Sequence, residues 1–178
     1  MGNISLVKKV YFPRIILPVS AVLTNLVNFL LSLVVVFVLL IIWKVPSTWE
    51  TPSGICLFML PVLMLIELML ACGLSFFISS LNVLFRDVEH MLQVILFAGF
   101  FLTPVIYPYT LVVPERIPAW LYFLNPMASI IVGYQSILYY GKLPPPQLIY
   151  IPLAISIVLL VSGYRFLIKL DGMIVDQL

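Results

Sequence analysis

The chain has 178 residues, 63% of them hydrophobic and 9% charged, with a net charge of +2 and a mean hydropathy of +1.22. Soluble domains carry about a quarter charged residues, so a water-solvated globular core is excluded. Nine Lys and Arg scattered along the chain are too few and too dispersed for a nucleic-acid surface.

Residues 3 to 12 carry a short helical pattern. At about 100° per residue, Ile4, Leu6, Val7, Val10 and Tyr11 fall on one face and Ser5, Lys8 and Lys9 on the other. Phe12 sits in the middle of the polar face. Pro13 stops the helix, because proline has no amide donor and clashes with the preceding turn. Two readings fit: a helix bedded on the membrane surface with snorkelling lysines, or a docking helix that offers Phe12 to a soluble partner. The segment is not a signal peptide, because Lys8, Lys9 and Arg14 precede a run too long for one and no small-residue cleavage site follows.

From Ile15 to Trp43 there are 29 residues without a charge. A hydrocarbon core about 30 Å thick needs ~20 helical residues, so Val19 to Trp43 is the first expected span, followed by Gly54 to Leu81, Met91 to Tyr107 and Leu148 to Leu170. Cys56 and Cys72 lie on the second span, roughly 24 Å apart along its axis, too far to pair with each other. Glu67 is the lone acid inside a span, where a charge costs about 3 kcal/mol on insertion scales. It must face the protein interior or a cavity, either in a substrate path or as a neutral, hydrogen-bonded structural acid.

The loop Asn82-Val83-Leu84-Phe85-Arg86-Asp87-Val88-Glu89-His90 joins the second and third spans. By pattern alone it reads as a solvated turn in which Arg86 pairs locally with Asp87 or His90, worth little in stability. Residues 104 to 146 are broken by Pro104, Pro108, Pro114, Pro118, Pro126 and Pro144 to Pro146, so short external or re-entrant helices are expected there rather than one rod. Six of the nine tyrosines (Tyr107, Tyr109, Tyr122, Tyr134, Tyr139 and Tyr140) fall in this region with Trp120 and Phe123. They fit an interfacial aromatic belt, and equally a passage or gate whose ring faces stack on sugars.

Cations accumulate on the cytoplasmic side. Four spans with both termini inside place Lys8, Lys9, Arg14, Arg86, Arg165 and Lys169 in the cytoplasm against Lys44, Arg116 and Lys142 outside. A fifth span would invert the last helix and reduce the bias, so four are preferred. The expected fold is therefore all-α and polytopic, a single membrane domain over 1–178 with about four transmembrane helices, an amphipathic cytoplasmic helix and short external or re-entrant helices.

Catalytic chemistry has little to build on. One histidine, seven scattered acids and two apolar-looking cysteines supply no nucleophile–base pair, carboxylate pair or metal cluster. The only Gly-Lys pair, Gly141-Lys142, is followed by Leu143 and does not form a phosphate-cradling loop. Any nucleotide hydrolysis must come from a partner.

Four segments together carry a family signal: Leu6-Val7-Lys8-Lys9-Val10-Tyr11-Phe12-Pro13-Arg14; Leu81-Asn82-Val83-Leu84-Phe85-Arg86-Asp87 with His90; Thr103-Pro104-Val105-Ile106-Tyr107-Pro108; and Leu124-Asn125-Pro126-Met127. In order, spacing and placement between spans the chain resembles the ABC-2 type permeases that export polysaccharides and polyol phosphates: O-antigen, capsule and teichoic acid. The resemblance implies a homodimeric, multi-pass permease in the bacterial plasma (inner) membrane, binding no cofactor itself and powered by ATP and Mg in a separate ABC ATPase subunit. It implies that Lys8, Lys9, Tyr11, Phe12, Pro13 and Arg14 form the coupling helix, that Arg86 and Asp87 lie near the same ATPase, and that the proline-broken stretch forms external gate helices. Glu67, Tyr107, Tyr109, Trp120, Tyr122 and Tyr134 are then the candidates for the path or gate of a lipid-linked polymer. Members of the family generally have six spans. This sequence starts just before the coupling segment, covers about the carboxy-terminal two thirds of that architecture, and lacks the first two spans. A drug or lipid exporter of the same class and a truncated, non-transporting remnant are the alternatives.

Overall fold

The computed structural model describes residues 15–43, 54–85, 87–107 and 123–175. Among them the chain forms α1 (Ile16–Trp43), α2 (Gly54–Leu84), α3 (Val88–Leu102), α4 (Pro126–Leu138) and α5 (Gln147–Val175), with no strand. Helices α1, α2 and α5 are long and apolar enough to cross a membrane. Much of their outer surface is apolar, with Leu31, Ile41, Phe58 and Val158 among the exposed side chains, a surface that lipid covers without cost.

The core is the contact between α2 and α5. A side-chain carbon added at Gly73 would lie 2.7 Å from the Leu160 amide nitrogen, and one added at Gly163 would lie 2.7 Å from the Gly73 carbonyl oxygen. The two backbones therefore touch, as small residues allow between membrane helices. Further along, Phe76 faces Tyr164 at 6.2 Å and Phe77 stacks on Phe166 at 5.8 Å. These matched positions advance together, so α2 and α5 run in the same direction. Lys142 consequently lies at the end of the bundle where α2 begins, and Arg165 and Lys169 lie toward the end where α2 stops; five alternating crossings would instead set α5 antiparallel to α2.

Helix α1 runs antiparallel to α2: Phe37 packs on Cys56, Leu60 and Leu63 near the start of α2, while Asn25 and Phe29 lie beside Glu67 and Ala71 further down. The bounds of the third expected span, Met91 to Tyr107, are corrected by the structure. Helix α3 begins at Val88 and ends at Leu102, and its 15 residues rise about 22 Å against a hydrocarbon core of about 30 Å. The cause is local: Thr103 precedes Pro104, and its backbone is extended (φ −108°, ψ 135°), as the proline ring requires of the residue before it.

Helix α4 is the re-entrant piece. Asn125 is extended before Pro126 and its side chain accepts a hydrogen bond from the Met127 amide at 3.1 Å, a capped start with proline in the first turn. Ile130 packs on Ile66 and Leu70, halfway along α2. About two turns later Ile137 joins Cys56, Leu60 and Leu63 near its start. Helix α4 thus begins at mid-membrane depth and climbs to the end where α2 begins. There Gly141 takes a left-handed φ of 61°, which glycine adopts without strain, and the Lys142 amide turns back to the Ser136 carbonyl at 2.9 Å.

Candidate functional site

The acid inside the second span sits at a junction of α1, α2 and α4. Tyr134 of α4 donates its hydroxyl hydrogen to Glu67 Oε2 of α2 at 2.9 Å. The acid that had to face inward therefore meets a phenol 67 residues away. Both side chains are half-buried. Phe29 of α1 lies against the same tyrosine, with ring centroids 5.8 Å apart and planes tilted by 55°. Beside the pair, between α1 and α2, is a cavity of about 150 Å³ lined by Val22, Asn25, Leu26, Phe29, Glu67, Leu68 and Ala71.

The residue after Tyr134 ties α4 to a third element. Gln135 donates from Nε2 to the Pro104 carbonyl at 2.9 Å, and Asn125 Nδ2 reaches Thr103 Oγ1 at 3.5 Å. The exit of α3 is thereby held against α4, and Ser129 Oγ, donating to the Phe123 carbonyl at 2.9 Å, fixes the turn into it. Glu67, Tyr134, Gln135 and Ser129 thus lie between helices, as the cost of unpaired polar groups in hydrocarbon demands.

Of the expected site residues, the structure brings Glu67 and Tyr134 together. It leaves Tyr107 apart from them, its hydroxyl donating to the Phe101 carbonyl. Asp87 is exposed at the start of α3 in a helical conformation (φ −85°, ψ −3°) and makes no capping hydrogen bond; His90 is exposed on the next turn. Among the described residues no group of His, Cys, Asp and Glu is arranged to hold a metal. Lys8, Lys9, Tyr11, Phe12, Pro13, Arg14, Arg86, Tyr109, Trp120 and Tyr122 lie outside the described residues.

Two features escaped the sequence reading. Asn25 and Phe29 belong to the junction. In addition, Ser20, Thr24, Asn28 and Ser32 form a stripe at four-residue spacing down α1, all exposed and turned away from the face toward α2 formed by Val22, Leu26, Phe29 and Phe37. Three of their hydroxyls hydrogen-bond to the preceding turn: Ser20 to Leu17, Thr24 to Ser20 and Ser32 to Asn28, each at 2.9 Å. The stripe runs about 18 Å along the axis, and its signal was the i, i+4 spacing itself.

The fold and this buried polar junction define a multi-pass α-helical membrane protein. Residues 1–139 match the family described as ABC-2 type transporter. Over 155 residues the chain is 39% identical to an O-antigen export system permease protein RfbA of Myxococcus xanthus, covering 87% of this chain and 57% of that one. A protein of the same name from Klebsiella pneumoniae is 29% identical over 143 residues, covering 80% of this chain and 52% of its own length. The chain belongs to the ABC-2 type transporter membrane family. It spans about half the length of the curated relatives it matches. No solved structure matches it.

Proposed function

We propose that this chain is part of the membrane permease of an ATP-driven exporter of a lipid-linked polysaccharide, of the O-antigen kind, in the bacterial inner membrane. The observation that carries the reading is the 39% identity over 155 residues to a permease named for O-antigen export. The work is transport: the chain moves substrate without covalent chemistry, and a separate ABC ATPase subunit, holding ATP and Mg, supplies the energy. The permease acts as a homodimer.

Force enters at the segment from Lys8 to Arg14, with Phe12 seated in the ATPase as an aromatic anchor, and passes directly into α1, which starts at Ile16. Because α1 is a continuous helix of 28 residues, a tilt at its lower end is delivered at the level of Phe29 and the outer helices. The stripe Ser20, Thr24, Asn28 and Ser32 offers hydroxyl and carboxamide groups along the way, suited to a polar polymer rather than to lipid. Glu67 and Tyr134 stand at the middle of the path and the tyrosine-rich segment 107–122 forms its outer part.

The test is genetic and chemical. Deleting the gene in its host should abolish surface polysaccharide and leave lipid-linked polymer at the cytoplasmic face, both read by immunoblot after protease or glycosidase shaving. Restoring the native gene should reverse both, and a Phe12→Ala version should restore neither. Surface polymer persisting in the deletion strain would overturn the assignment.

A further inference from the structure

We infer that the Glu67–Tyr134 hydrogen bond is a latch that holds the re-entrant helix α4 closed against α2, and that α1 releases it through Phe29. The inference rests on the export reading for its purpose, but its structural content stands on the junction alone.

Three observations support it. First, α1 is the loosely held body. Among its described residues only Pro18 is buried, whereas α2 and α5 are locked backbone to backbone at Gly73 and Gly163. Second, the gap is in the right place. The cavity of about 150 Å³ separates α1 from α2 at the level of Glu67, so the two helices share little direct packing there. A shift of α1 across that gap therefore breaks few contacts. Third, the moving part touches the bond. Phe29 lines the cavity and its ring meets Tyr134 at 5.8 Å, so displacing α1 pushes on the ring that carries the bonded hydroxyl.

What the latch holds follows from the neighbouring contacts. Tyr134 ties α4 to α2, and Gln135, next in the chain, ties α4 to the carbonyl of Pro104 at the end of α3. Once Tyr134 lets go, α4 and the end of α3 remain joined to each other, and only apolar packing through Ile130, Val132, Gly133 and Ile137 resists their moving together. The latch is thus a polar bond set within an otherwise apolar contact between α4 and α2, and α1 reaches it through Phe29.

The test uses the permease together with its ATPase in native membranes, with Cys56 and Cys72 replaced by alanine and a reporter, Met127→Cys, on the exposed side of the first turn of α4. The rate of modification by a membrane-impermeant maleimide reads the position of α4. Tyr134→Phe keeps the ring and removes only the hydroxyl; Glu67→Gln keeps the shape and weakens the acceptor. Each should raise the nucleotide-free labelling rate about three- to tenfold, the range that an interhelical hydrogen bond in a membrane supports, and the double variant should label no faster than either single. Phe29→Ala should leave the nucleotide-free rate low and abolish its rise on ATP binding. Additive effects of Tyr134→Phe and Glu67→Gln, or no change in either, would overturn the latch. Nucleotide-free labelling does not depend on what is exported, so a failed export assay with intact labelling behaviour would refute the transport reading and leave the latch standing.

Discussion

Replacing Gly73 with alanine adds one methyl group at the tightest point of the fold. The added carbon would meet the Leu160 nitrogen at 2.7 Å, the Leu159 carbonyl carbon at 2.8 Å and the Leu159 Cβ at 3.1 Å, where nonbonded heavy atoms settle at about 3.5–4.0 Å. Two of these three neighbours are backbone, so relief requires α2 and α5 to part by roughly 1 Å, and overpacking of this kind costs about 1–3 kcal/mol. Against it stands a gain of at most about 1 kcal/mol in helix propensity. Gly99 supplies the control, because an added carbon there meets nothing within 4 Å and only the favourable term remains. Thermal or denaturant unfolding of the purified protein in detergent should rank Gly99→Ala at or above the native chain and Gly73→Ala below it, with Gly163→Ala as low as Gly73→Ala because its added carbon strikes the Gly73 carbonyl. If Gly73→Ala were as stable as Gly99→Ala, the backbone contact at the core of the fold would be wrong.

Other outcomes follow from single contacts. Leu63 is fully buried between α2, α4 and the Phe37 side of α1; since lipid is as apolar as the core, Leu63→Ala loses packing and little transfer energy, so the loss should sit near the lower end of the usual range, about 2 kcal/mol in the same unfolding assay. Asn125→Ala removes the cap on α4 and should cost about 1 kcal/mol, with Asn125→Ser recovering most of it. On α1, a cysteine at Asn28 should react with a water-soluble maleimide in the assembled exporter, while one at Val34, exposed but about 120° round the helix, should stay unreactive; equal reactivity would remove the stripe from any hydrophilic path.

Much of the architecture was legible because membranes impose a single requirement, that backbone polar groups be satisfied within each crossing. The uncharged runs gave the long helices to within a few residues, and Asn125-Pro126 marked the start of α4. The early end of α3 was also written in the chain, at Thr103 before Pro104, but a hydropathy run extends past such a break and hid it. Pairings between distant residues left no local trace. Glu67 announced a need for an interior partner, yet nothing in its surroundings distinguished Tyr134 from five other tyrosines in the same region. Likewise Gly73 and Gly99 look alike in sequence, and only the approach of α5 makes one of them indispensable. The coupling assignment from Lys8 to Arg14 came from motif order, which local helical pattern alone had left open between a surface helix and a docking helix.

The most direct test of the whole account is sidedness. Single cysteines in place of Ser5 and Lys142, in a chain otherwise free of cysteine and coexpressed with the ATPase, should divide cleanly under a membrane-impermeant label in intact cells stripped of their outer membrane. The account predicts that the cysteine at 142 labels at once and the one at 5 only after the inner membrane is permeabilised; immediate labelling at 5 would place the driving segment on the wrong side of the membrane and contradict it.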